Sequence, residues 1–167
     1  MGKKILIVGQ TPPPFGGQAI MIEKIVSWKY NNLKVYHVRM EFSKEMDEIG
    51  KFMFSKISHL LVLIFKILFF RLRHNIDTLY YPPTGPNKIP FYRDVVILSI
   101  VRPFFKKTCF HFHAGGVSEL YPSLSPIMKL LYKTSYYDVD LGIRLSESSP
   151  DDPKAIKAKQ SCIIPYG

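Results

Sequence analysis

Two histidines stand two residues apart in the run FHFHAGG, residues 110–116. On a strand His111 and His113 face the same side, and imidazole is the side chain that exchanges a proton near neutrality. His113 lies nearer the following loop, which makes it the candidate for a ligand contact or for general acid–base work. A pair of hydrogen-bonded structural histidines is the competing reading. The pair would also supply two metal ligands, but His37, His59 and His74 offer no third at convincing spacing, and no metal is expected. Gly115 and Gly116 follow after Ala114, in the loop that leaves this strand.

A second glycine pair, Gly16 and Gly17, ends the stretch PPPFGG, residues 12–17. It lies between the apolar run KILIVG and a helical pattern. A strand, a Gly-rich turn and a helix N-terminus make a pocket for phosphate-bearing ligands, because free N–H groups and the helix dipole both point at it. A tight turn needed only for packing is the alternative. The spacing is not G-x-G-x-x-G: six residues separate Gly9 from Gly16, and three of them are prolines without an N–H. That argues against a nicotinamide-dependent oxidoreductase, although Glu41 beyond the second strand could bind a ribose.

Other candidates follow from position. Gln18 succeeds the glycines, and Thr84 sits in the loop after the third strand. Arg93 could reach an anionic ligand across a cleft, with a solvated ion pair as the alternative. Asp94, at the expected start of a helix, would complement its dipole. Glu119 could be a cleft carboxylate, though a surface position suits it better. Asp138 and Asp140 have Asp-x-Asp spacing but fall at the start of a strand, away from any cleft.

The elements that must position these residues alternate. Strands are expected at 5–8, 33–38, 77–81, 108–112, 139–144 and 161–164, and helices at 17–28, 51–73, 91–101, 125–136 and 151–159, with a polar loop over 41–50. Strand–helix alternation implies right-handed parallel crossovers and a Rossmann-like, doubly wound α/β sheet of about six strands with helices on both faces. The order 3-2-1-4-5-6 would fit, with ligands at the carboxyl ends of the strands near a switch point between strands one and four. The chain stops just after a strand, at Pro165, Tyr166 and Gly167, which suggests a domain cut at a linker.

The 167 residues suffice for one domain with a core, and 47% hydrophobic content is ordinary. The net charge of +10 is not, and favours an acidic partner. No nucleic-acid motif accompanies it, and the aromatics lie in apolar runs, so nucleic acid is not expected. Cys109 and Cys162 lie in apolar runs and read as buried reduced thiols, which suits the cytoplasm; no signal-peptide pattern precedes the first strand. The segment ISHLLVLIFKILFF, residues 57–70, is too short to span a bilayer. It reads as a core helix, or as one that also touches an anionic membrane surface through its basic and aromatic residues.

PPPFGG after strand one, YYPPTGPNKIPFYRD after strand three, the run KKTCFHFHAGG and the end SCIIPYG together resemble the N-terminal half of a family 4 retaining glycosyltransferase, most of all bacterial enzymes that build surface polysaccharides. The resemblance covers essentially the whole chain. It implies a GT-B fold of two Rossmann-like domains, of which residues 1–167 would be the acceptor-side domain and the donor-binding domain lies outside the chain. It implies transfer of a sugar from a nucleotide sugar to a saccharide or lipid-linked saccharide with retained configuration, and no metal or other cofactor. By position, Gly16 and Gly17 would face the donor diphosphate and the acceptor, and His113 would lie beside the transferred sugar, making it the catalytic candidate. His111, Gly115, Gly116, Gln18, Thr84 and Arg93 are the expected substrate contacts. Where the family commonly has Pro-Asn-Gly at the interdomain linker, this chain has Pro165, Tyr166 and Gly167. The fragment by itself should be inactive. The cytoplasm, or the inner face of the cell membrane, would be its place. The alternative is a non-catalytic basic module that binds a phosphorylated ligand.

Overall fold

A computed structural model of the chain describes residues 2–40 and 49–166, with the backbone alone over 49–56. Glu41 and most of the polar stretch at 41–50 lie outside the described residues. Among the described residues six strands form one all-parallel sheet: β1 (Lys3–Gly9), β2 (Leu33–Arg39), β3 (Thr78–Tyr81), β4 (Lys107–Phe112), β5 (Leu141–Arg144) and β6 (Ser161–Ile163). Five helices alternate with them: α1 (Gly17–Ser27), α2 (Ile49–His74), α3 (Lys88–Val101), α4 (Pro126–Tyr136) and α5 (Asp152–Ala155). This is a Rossmann-like α/β domain.

The strand order is β2-β1-β3-β4-β5-β6, not 3-2-1-4-5-6. After β2 the chain recrosses β1, so β3 pairs with β1, Ile5 opposite Thr78 and Ile7 opposite Tyr80. The burial of the strands explains the choice. In β2 only Val38 is fully buried, whereas three of the four β3 residues are. A strand carrying Lys34, His37 and Arg39 belongs at an edge, where one side meets water; Leu79, Tyr80 and Tyr81 need two neighbours and a helix layer. The switch point therefore lies between β1 and β3, rather than between strands one and four.

Alternation divides the core in two. Leu6, Val8, Leu79, Tyr81, Phe110 and Phe112 face α2, α3 and α4 and form the larger cluster with Ile67, Phe91 and Tyr136. Ile7, Tyr80, Cys109 and Ile143 face the other way and pack with Ile22 of α1. Cys109 and Cys162 are free thiols. Burial pushes the Cys109 thiol up to about 12, so it stays protonated and unreactive in the folded chain.

Several boundaries differ from the sequence pattern for local reasons. Helix α3 starts at Lys88 rather than 91, because the Asn87 side chain caps it by accepting from Ile89 N at 3.2 Å and Pro90 fits a first turn that needs no N–H there. Helix α5 is one turn and not the nine residues expected, since Lys157 has φ +56°. Strand β5 starts at Leu141 rather than 139, after Asp138 with φ +58° and an Asp140 carboxylate that accepts from Thr108 N at 2.8 Å. A short 3-10 helix over Val117–Ser123 had no strong sequence signal.

Helix α2 carries apolar residues all round, and its two sides should respond differently. Ile67 is wholly buried and Phe65 is 69% exposed. Ile67→Ala is expected to cost about 2–5 kcal/mol in urea unfolding, and Phe65→Ala under about 1 kcal/mol.

Candidate functional site

The loops after β1, β3 and β4 leave the carboxyl ends of three adjacent strands, and polar contacts fix each of them. The proline loop after β1 is tied to the edge strand: Arg39 donates to the Pro13 carbonyl at 2.6 Å, and a His37 ring nitrogen lies 3.0 Å from the Gly9 carbonyl. The loop after β3 is tied to α3. Asp94 is fully buried and accepts from Tyr81 Oη at 2.8 Å, from Thr84 N at 2.9 Å, and from Arg93 Nε and Nη2 at 3.0 and 2.8 Å. Burial raises the Asp94 pKa, against the opposing pull of the Arg93 guanidinium. Asp94 is thus no helix-dipole partner: with α3 starting at Lys88, it lies beyond the first turn. Arg93 is bound to it within a largely buried pair rather than a solvated one.

The loop after β4 is tied to α5. Asp152 is fully buried and accepts from Gly116 N at 2.6 Å, Ser118 N at 2.9 Å and Ser118 Oγ at 2.6 Å. Gly116 has φ +99°, a left-handed conformation that strains any side chain, so glycine is required there for the turn itself. Gly115 packs against Pro150, leaving a Cβ 3.0 Å from its Cδ. Gly85 in the β3 loop would set a Cβ 3.1 Å from that of Ala114, so the β3 and β4 loops touch.

The histidines lie on the α1 side of the sheet. His111 Nδ1 is 2.6 Å from Tyr80 Oη, and the His111 and His113 rings are 4.0 Å apart. His113 Nδ1 is 2.7 Å from Tyr166 Oη, and the two rings stack at 5.7 Å. Tyr166 also lies over the amino end of α1, its ring 3.7 Å from where a Gly17 Cβ would be. One tyrosine therefore joins the β1 loop to the β4 loop. The Nε2 atoms of both histidines are buried without a hydrogen-bond partner among the described residues.

Burial lowers His111 to about 4, and burial together with the His111 neighbour lowers His113 to about 3. Both imidazoles are neutral at pH 7. A neutral imidazole offers one N–H and one lone pair, so the pair carries hydrogen-bonding capacity without a charge.

Gly16 is different from the other glycines. It precedes α1 in an extended conformation, φ −149°, which any residue adopts, and a Cβ there would meet nothing within 4 Å. Neither turn nor packing requires it. No side chain caps α1, and Gln18 is half-buried in its first turn. Thr84 is half-buried against Asp94. The structure thus brings Gly17, His111, His113, Gly115 and Gly116 to one end of the sheet, with Thr84 beside them. Glu119 is exposed on the 3-10 helix, and Asp138 and Asp140 lie at the opposite end of the strands. There a shallow hollow of about 280 Å³ is lined by Arg102, Lys106, Thr108, Asp140 and Lys159, where Lys159 pairs with Asp140 at 2.9 Å. Among the described residues no group of three or more His, Cys, Asp or Glu could hold a metal ion.

Sequence reasoning missed Asp152 and the contact role of Tyr166. Asp152 had one usable signal, an Asp preceding proline at a helix start; Tyr166 had none, because its partner lies 53 residues away. The chain matches no family model and no curated protein sequence.

Two outcomes test this geometry. Asp152→Ala and Asp94→Ala leave buried donors without an acceptor and, for Asp94, a buried guanidinium without its partner. Each is expected to cost about 3–5 kcal/mol in denaturant unfolding. The histidines bind protons in the unfolded chain below their ordinary 6.5 but in the folded chain only near 3–4, so stability falls as pH drops from 6.5 toward 4, by at most about 1.4 kcal/mol per pH unit for each. Histidine proton NMR is expected to show both rings neutral at pH 5; mid-points near 6.5 would contradict the burial.

Proposed function

We propose that this chain is the N-terminal, acceptor-side domain of a retaining glycosyltransferase of GT-B architecture, of family 4 type. It moves a sugar from a nucleotide sugar to a hydroxyl of a saccharide or lipid-linked saccharide, on the cytoplasmic side of the membrane. A donor-binding domain outside these residues supplies most contacts to the nucleotide. The observation that carries the reading is His113: half-buried, uncharged, oriented by Tyr166, and with a buried Nε2 that no described residue satisfies. A buried polar atom without a partner costs free energy unless something answers it, and a sugar hydroxyl is a ligand of that size and polarity.

In this reading His113 holds the sugar at the reacting centre by hydrogen bonding from or to Nε2. His111 and Tyr80 hold the neighbouring ring in place. The uncapped amino end of α1, with Gly16 free of any structural duty, lets the donor diphosphate reach backbone N–H groups. Those groups and basic side chains carry the leaving-group charge without a metal. Thr84, Gly115 and Gly116 line the acceptor side, and Gln18 follows the phosphate turn. Arg93, spent on Asp94, acts by fixing the β3 loop.

A non-catalytic module binding a phosphorylated ligand is the second reading, and the same α1 terminus favours it. The two part on turnover. In the protein that joins this domain to its donor-binding domain, His113→Ala is expected to lower kcat about 10²-fold or more. The wild-type rate should show no inflection from His113 between pH 5 and 8, because that imidazole is already neutral there. Unchanged turnover in the variant removes His113 from the reaction. Nucleotide-sugar binding with no turnover against any acceptor leaves the module reading.

A further inference from the structure

A helix that is apolar all round has two sides to cover, and the sheet covers one. On α2, Leu63, Ile64 and Ile67 are buried, while Ile57, Leu61, Phe65, Phe69 and Leu72 are 52–69% exposed. These five follow one another at three or four residues and form a single stripe, in which the Phe65 and Phe69 rings stack at 6.2 Å. The stripe does not stop at α2. Helix α3 packs beside it and α4 beside α3, and α3 exposes Ile89, Val96 and Ile100, and α4 exposes Ile127 and Leu130. One face of the molecule is therefore studded with large apolar side chains. Scattered exposed apolar residues are ordinary; three helices packed side by side that each expose several of them mark an interaction surface.

Charge identifies what it meets. Residues 49–74 contain no Asp or Glu. Across α2, α3 and α4 the one acidic residue is Asp94, and it is buried. The exposed charged residues that these helices bring to the face, among the described residues, are Lys66, Arg73, Lys88 and Lys133, all basic. Lys51 and Lys56 stand earlier on α2 in the sequence. By contrast α1, on the other side of the sheet, exposes Glu23 beside Lys24. A second copy of the chain would bring two sets of helices whose exposed charges, among the described residues, are basic together across a two-fold axis, and like charges oppose that contact. An anionic bilayer answers both features: apolar rings enter the headgroup–acyl boundary while Lys and Arg stay with the headgroups. No helix among the described residues is long and apolar enough to cross a membrane.

We propose that the face built from α2, α3 and α4 seats on the surface of an anionic phospholipid bilayer, lying on the membrane and not spanning it. The proposal uses nothing in the crevice, so it stands or falls apart from the transfer reaction.

Vesicle flotation of the full chain tests it. Vesicles of phosphatidylcholine with phosphatidylglycerol should carry the protein up, phosphatidylcholine alone should not, and high salt should release it. Lys66→Gln with Arg73→Gln should weaken partitioning roughly 25-fold, about fivefold for each charge removed. Phe65→Ser with Phe69→Ser should abolish it. All four side chains point to solvent, so circular dichroism and melting should match the wild type, and Lys24→Gln on α1 should leave binding unchanged. Equal recovery on neutral and anionic vesicles overturns the proposal, as does unchanged flotation of folded double variants. Light scattering that shows a dimer, dispersed by the phenylalanine variant while vesicles are ignored, assigns the face to a second copy instead.

Discussion

A carboxylate shut away from water must be answered by the chain around it, and in this fold that requirement fixes where the loops go. Asp94 and Asp152 each have no solvent exposure. Asp94 draws Thr84 N and Tyr81 Oη inward, and so sets the start of the loop after β3. Asp152 draws in Gly116 N and both donors of Ser118, and so sets the loop after β4. With both acceptors in place Gly85 lies against Ala114 and His113 meets Tyr166. The charges work at a distance: neither has to touch a ligand for the crevice to depend on it.

A second consequence concerns the histidines. Burial makes the imidazoles neutral at pH 7. In a chain of net charge +10 this is a local exception. Positive charge is spread over the helix faces and strand ends, while the two imidazoles at β4's carboxyl end carry none. A neutral donor–acceptor edge suits a hydroxyl-rich ligand; the cationic outer face suits anions. The domain thus separates two kinds of polarity on two sides of one sheet, with His111 and His113 on the α1 side and the basic apolar surface on the other.

Most of the element pattern was legible, because apolar runs, prolines and Asn or Ser caps act over a few residues. The alternation implies a parallel sheet, and the placing of His111 and His113 on one side of it follows from the spacing of two. What was not legible acts over long range. Strand order hinges on whether β2 or β3 deserves the interior, a matter of how much each can bury, and Lys34, His37 and Arg39 are the residues that decide it. Asp94 reads as a dipole partner only for a helix that starts at 91, and the Asn87 cap starts α3 three residues earlier, at Lys88. Asp152 and Tyr166 acquire their meaning from partners 36 and 53 residues away. The glycines read alike in sequence, yet Gly116 is required by its own backbone and Gly16 by nothing among the described residues.

The central claim is that the loops after β1, β3 and β4 share one crevice that receives a sugar-bearing ligand. Amide NMR of the isotope-labelled chain, titrated with nucleotide sugars and oligosaccharide acceptors, addresses it directly. The account predicts shifts gathered at residues 16–18, at Thr84 and at residues 111–116, with the Tyr166 amide moving alongside them. Shifts gathered instead around Arg102, Lys106 and Lys159 at the opposite end of the strands, or none across the panel, would contradict it.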